Sequence, residues 1–172
     1  ITEKAILGNG RMQRGVLLTA VDPQLESRVS GLAGAMIAGD LRSLQEDGFN
    51  VVLGVSLASI LSVVPGDYVD VTVPRLTVTP LGLFPRSKRL LVTGLFKIGA
   101  QPDANQAYVS LQTGQKLLGS KGRVDGLQIK TRELFAAPQI MRELAKQLPA
   151  SYSVKDWSQT QGSLFRAVKM EK

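Results

Sequence analysis

Tyr68 to Val73 alternates strictly, with Val69, Val71 and Val73 on one face and Tyr68, Asp70 and Thr72 on the other. A second β-rich run returns at Leu90 to Phe96. Two such runs joined by a short connection commit this part of the chain to an antiparallel pair and the whole to a sheet-containing fold. Between them, Pro80 and Pro85 bound a loop holding Leu81, Gly82, Leu83 and Phe84, and Arg86, Lys88 and Arg89 follow at once. Proline fixes φ and lacks an N–H, so the tip is expected to be stiff and unable to pair fully as a strand. A stiff apolar loop on a cationic base suits partner docking better than catalysis. The competing reading is a hairpin whose tip folds back onto its own core.

The flanking sequence supplies further short elements. Thr2 to Leu7 and Gly15 to Val21 read as strands separated by the turn signal Gly8-Asn9-Gly10. Asp22-Pro23 can open a helix, with Asp as the cap, and Leu25 to Met36 reads as weak helix or irregular loop. Asn50 to Leu53 is a short buried strand ending at Gly54. Ser56 then caps a helix carrying Leu57, Ile60, Leu61 and Val64. Pro65-Gly66 suits the centre of a type II turn. Ala107 to Leu111 is a strand, and Thr113 caps a helix closed by Gly119. Val124 to Lys130 alternates as a strand does, and Ser151 to Trp157 reads as a last short strand. Pro138 to Leu148 is amphipathic, with Ile140, Met141, Leu144 and Leu148 on one stripe. Ser158 and Gln161 form a capping box that opens a helix over 158–172. This order indicates α+β, with mixed but mainly antiparallel sheets and short helices.

Function is narrowed mostly by exclusion. A chain of 172 residues fits one domain or two small lobes. It has no cysteine and no histidine, which removes thiol nucleophiles, disulfides, most zinc sites and the usual general base. No phosphate loop, nucleophile elbow or dinucleotide fingerprint occurs, so no cofactor, metal or catalytic residue is expected. The net charge of +7 favours an acidic protein face or anionic headgroups. Nucleic acid is disfavoured, because aromatic residues are few (Phe 5, Tyr 3, Trp 1) and no basic run interleaves with them. No apolar run is long enough to span a bilayer. Ile1 opens within a strand-like pattern and Met170-Glu171-Lys172 stops mid-helix by pattern, so a fragment of a longer protein is expected.

The segments Val51-Val52-Leu53-Gly54-Val55-Ser56-Leu57-Ala58, Pro65-Gly66-Asp67-Tyr68-Val69, Leu91-Val92-Thr93-Gly94-Leu95-Phe96 and Asp103 to Val109 resemble the periplasmic core domain of MacB-type ABC transporter subunits. Asp156-Trp157 and Gly162 to Lys172 look like the LolC/LolE membrane subunits of lipoprotein-releasing transporters, just before their second transmembrane helix. Gly15 to Arg28 is more similar to LolE. The resemblance implies a periplasmic domain, 1–172, in the inner membrane protein of a Gram-negative bacterium. It implies a MacB-like core of Porter- and Sabre-type lobes with a protruding β-hairpin at 74–91, and with the N-terminal part of the domain missing. The helix 158–172 would lead to a transmembrane helix, its Leu164, Phe165 and Val168 facing inward and Arg166, Lys169 and Lys172 meeting headgroups.

The implied partners are the chaperone LolA, the lipoprotein substrate, a second LolC/LolE-type subunit and the cytoplasmic ATPase subunit LolD. The family's Hook corresponds to Pro74 through Pro85 and its basic Pad to Ser87, Lys88 and Arg89. Partner-binding residues are therefore expected at Pro80, Leu81, Gly82, Leu83, Phe84, Pro85, Arg86, Lys88 and Arg89. Asp70 stands where LolC has a Pad arginine. A MacB-like efflux domain docking an adaptor, a LolE-like substrate-contacting subunit, a hydrolase of unknown type and a structural spacer are the alternatives.

Overall fold

The computed structural model describes residues 1–45, 48–79, 82–99 and 101–156. The chain divides into two compact units, Ile1–Gln128 and Ile129–Lys172. The first holds strands β1 (Thr2–Gly8), β2 (Gln13–Val21), β3 (Met36–Gly39), β4 (Asn50–Gly54), β5 (Tyr68–Thr79), β6 (Gly82–Phe96) and β7 (Gln106–Ser110). It also holds helices α1 (Pro23–Val29), α2 (Val55–Leu61), α3 (Pro102–Asn105) and α4 (Leu111–Leu118). In the second unit a short 3-10 turn, Leu134–Ala136, leads into α5 (Ala137–Gln147).

The strands form one 7-stranded sheet in the order β3-β6-β4-β7-β2-β1-β5, and β6 also pairs with β5. That extra pairing closes β6, β4, β7, β2, β1 and β5 into a barrel-like ring. Closure depends on the length of β6, which runs for 15 residues. Its first part, Gly82 to Leu91, pairs with β5, and its last part, Leu91 to Phe96, with β4. The β2–β7 and β4–β6 pairs are parallel and the others antiparallel, in keeping with the mixed, mainly antiparallel α+β expectation. The ring itself is not visible in a sequence, because it is set by the register of strands distant along the chain.

The inner face of the ring is the main core. Leu7, Val51, Leu53, Val69, Val71, Val73, Leu90, Val92 and Val109 are buried there with Leu57 and Leu61 of α2 and Leu117 of α4. The alternation over the first half of β5 thus buries Val69, Val71 and Val73. A smaller cluster joins Leu32, Leu41 and Leu44 to Val52 and Phe96. Strand β4 is buried at every position, which is why it reads as a continuous apolar run rather than an alternating one. Tyr108 meets Phe96 edge-on, with ring centroids 5.4 Å apart. Its hydroxyl donates to Gln106 Oε1 at 2.9 Å. Burial, and then the negative charge of Glu26, push the Tyr108 phenol above its ordinary range.

Local chemistry explains several boundaries. The Asp22 carboxylate caps α1, accepting from the Gln24 and Leu25 amides at 2.9 and 3.2 Å. Gly66 has φ +102° and the Asp67 amide donates to the Val64 carbonyl at 3.0 Å, as a type II turn centred on Pro65-Gly66 requires. Other boundaries differ from the sequence reading. Helix α2 starts straight from β4, with Gly54 rather than Ser56 as its cap and no side-chain bond. It stops at Leu61, because Ser62 turns left-handed (φ 52°), and this leaves Val64 exposed. Ser110, not Thr113, caps α4, its Oγ accepting from the Thr113 amide at 3.1 Å. The run Leu25 to Met36 resolves into α1, a 3-10 turn at Ala33–Ala35 and the start of the unforeseen β3.

Val124 to Lys130 forms no strand, nor do residues 151–156. Alternation gives a strand only where a neighbour completes the ladder, and among the described residues neither segment has one. Trp157, and the capping box and helix expected over 158–172, lie outside the described residues. Helix α5 is found close to where its periodicity places it, but none of its residues is buried.

Candidate docking site

The β5–β6 ladder runs from Tyr68 opposite Leu91 to Thr79 opposite Gly82. Strand β1 supports β5 only over Asp70 to Thr72, and β4 joins β6 only from Leu91. Among the described residues, the outer hairpin, 76–85, therefore has no third strand beside it in the sheet. Its register shifts between Val73 and Leu76, leaving Pro74 and Arg75 as extra residues on β5. A bulge is where a residue without an N–H is tolerated inside a sheet. Arg75 reaches back from it to Glu3 of β1 at 3.5 Å.

The expectation of an unpaired loop from Pro80 to Pro85 is corrected. Gly82, Leu83, Phe84 and Pro85 continue β6, opposite Thr79, Val78, Thr77 and Leu76. Pro85 is accommodated because, among the described residues, β6 has a partner on one edge only at this height, which is the position proline occupies in sheets. Pro80 and Leu81 lie outside the described residues, as do the side chains of Leu83 and Phe84.

The cations that follow are divided between two faces. Arg89 stands opposite Asp70 and pairs with its carboxylate at 3.3 Å. Beside them, the Thr72 and Ser87 hydroxyls are hydrogen-bonded at 2.8 Å. Arg86 and Lys88 share the parity of the buried Leu90 and so belong to the other face. Gly119 ends α4 with φ +63°, and a Cβ there would fall 2.6 Å from Arg86 Nη1. The half-buried guanidinium thus lies at the C-terminus of α4, where the helix dipole favours a positive charge. Lys88 Nζ lies 5.2 Å from the centroid of the Phe49 ring, and Lys116 Nζ lies 5.8 Å from it.

The structure thus brings together Arg86 and Lys88 and separates Arg89 from them. It adds Phe49 and Lys116, which sequence reasoning missed. Only tertiary packing joins the residue preceding β4 to α4 and β6, so no local signal could have found them. Among the described residues there is no acidic cluster of the kind that holds a metal ion. No described helix is long and apolar enough to cross a membrane.

No family model matches the chain. It is 34% identical over 171 residues to the lipoprotein-releasing system transmembrane protein LolC of Xylella fastidiosa strain 9a5c, covering 99% of this chain and 41% of that protein. The corresponding LolC of Neisseria meningitidis serogroup B is 32% identical over 174 residues, covering 100% and 42%. LolE of Haemophilus influenzae is 21% identical over 167 residues, covering 96% and 40%. The extracellular domain of the ABC-type transporter YknZ from Gram-positive bacteria superposes with a TM-score of 0.54 at 12% identity, over 90% of this chain and 74% of that domain. The chain spans about two fifths of the curated relatives it matches. Matched from end to end by these subunits and folded like an ABC transporter's extracellular domain, the chain belongs to the LolC/LolE family of lipoprotein-releasing transporter subunits.

Proposed function

We propose that this chain is the periplasmic domain of an inner-membrane LolC/LolE-type subunit and that its β5–β6 hairpin hands lipoproteins on by docking the chaperone LolA. The supporting observation is the outer hairpin, 76–85, which runs on beyond the strands that flank its base and carries an apolar sequence at its end. A two-stranded hairpin alone is marginally stable, so an apolar end on one is best accounted for by a partner that covers it. Leu81, Leu83 and Phe84 would enter an apolar groove. Each full burial contributes about 1.5–3 kcal/mol, enough together for micromolar binding after association costs. On this reading the two compact units are the Sabre- and Porter-type lobes. A second LolC/LolE-type subunit, the ATPase LolD and the lipoprotein are partners of the full-length protein, and the domain itself needs no cofactor and does no catalysis.

Calorimetry of this chain with purified LolA, beside a variant whose Leu81-to-Phe84 segment is replaced by Gly and Ser, tests the proposal. Binding that disappears in the variant supports it. A folded chain that gives no heat with LolA refutes it in favour of a LolE-like role in holding the lipoprotein. The Arg89–Asp70 pair is the one observation that favours this second reading, since it neutralises a cation on the hairpin's base.

A further inference from the structure

We infer that the open edge of β3, with the cleft beside it, takes up an extended acidic segment of a partner protein by adding it to the sheet as a further strand. This goes beyond the hairpin reading and does not rest on it. Closure of the ring gives every other strand at least two partners, and among the described residues β3 (Met36–Gly39) is the one strand paired with a single neighbour. Such a strand presents N–H and C=O groups outside any ladder along its other edge. The edge is short and interrupted, because the β3–β6 register shifts between Met36 and Ala38 and leaves Ile37 as an extra residue, 54% exposed. Short, bulged edges resist indiscriminate pairing, so a strand that adds here has to be selected by contacts beyond the backbone.

The cleft supplies those contacts. It encloses about 610 Å³, and both ends of β3, Met36 and Gly39, line it, so it runs along the strand. Its other walls are α1, through Ser27 and Arg28, and the 3-10 turn Leu41–Gln45, through Arg42, with Asp40 between β3 and that turn. From Met36 to Gly39 the strand spans about 10 Å, the length of three or four residues of an added strand. Charge decides which segment fits. Two guanidinium groups line the cleft against one carboxylate, and both arginines are exposed. The Asp40 carboxylate is already engaged, its Oδ1 accepting from the Arg42 amide at 2.7 Å. Guanidinium groups take carboxylates with two parallel hydrogen bonds. Backbone pairing along β3 would give affinity, and acidic side chains taken by Arg28 and Arg42 would give specificity, which is how strand addition divides the two. The net charge of +7 attracts an acidic segment in the same sense.

Titrating the isotope-labelled chain with a short peptide of alternating Thr and Glu, followed by NMR, tests the inference. The amides of Met36 to Gly39 and the side chains of Arg28 and Arg42 should shift together, and amide exchange within β3 should slow at least tenfold. Arg28→Glu should weaken peptide binding at least tenfold, and Arg28→Lys by less. The same peptide with N-methylated backbone amides, and a peptide of alternating Thr and Lys, should each bind at least tenfold more weakly. An N-methylated peptide that binds as well as its parent overturns strand addition, because it cannot complete a ladder. Equal binding of the Thr and Lys peptide overturns the acidic partner. Shifts centred on the hairpin at 76–85 with none in β3 overturn the site, and so does a response of Arg28 and Arg42 to inorganic phosphate without one to the peptide. Protection of β3 that rises with the chain's own concentration, with no peptide present, overturns the inference in favour of a second copy of this chain pairing edge to edge.

Discussion

Asp103 is the buried polar group whose removal should cost the fold most. It is 4% exposed, and its carboxylate accepts from the Ile98 amide at 2.7 Å and the Gly99 amide at 3.0 Å. Those bonds tie the chain leaving β6 to α3, which leads into β7. The backbone of Asp103 is also pressed against β4, since a Cβ on Gly54 would come within 2.3 Å of its carbonyl oxygen. Asp103→Ala leaves both amides without this acceptor, on a loop whose side chains are partly open to water. Each stranded donor costs about 1–3 kcal/mol, and partial solvation of the loop puts the sum at about 2–4 kcal/mol. Asp103→Asn keeps one acceptor oxygen and should lose about half as much. Urea unfolding followed by circular dichroism measures both. At this chain length the alanine variant should also melt about 5–15 °C lower. A loss below about 0.5 kcal/mol for Asp103→Ala, the size of an ordinary surface change, would refute the claim that these two bonds hold the β6–β7 connection.

Two further outcomes follow from the described chemistry. Phe84→Ala should weaken LolA binding about tenfold to a hundredfold and Lys88→Ala by less, because burial of a ring outweighs one exposed charge; equal titration curves for wild type and Phe84→Ala would sink the groove-insertion reading. Tyr108 should ionise above the ordinary tyrosine range, because burial and then the charge of Glu26 disfavour its phenolate. Its raised folded pKa means that the unfolded chain loses this proton first. The stability it contributes is therefore complete below about pH 10 and is lost as pH climbs through the folded value. Phenolate absorbance should show a late phase absent from Tyr108→Phe, and loss of the earliest part of the titration in that variant would count against it.

What could be read from the sequence, and what could not, divides by the range of the interaction. The alternation of Val69, Val71 and Val73, the Asp22 cap and the Pro65-Gly66 turn are fixed by residues within a few positions of each other, and each is found where the pattern put it. Val124 to Lys130 carries an equally good alternation and forms no strand, because a period of two specifies faces but not a neighbour. Proline was read too strongly at Pro85. Its missing N–H excludes it from a central position, and among the described residues β6 has an open edge there only because β4 begins pairing later, at Leu91.

The same limit applies to the candidate site. Arg86, Lys88 and Arg89 look like one basic cluster along the chain, yet strand parity alone sends Arg89 to the other face from its neighbour Lys88. Which face keeps its charge is then decided by residues far away. Asp70 neutralises Arg89 across the hairpin, while the other face acquires Phe49 and Lys116 through packing of α4 against the ring.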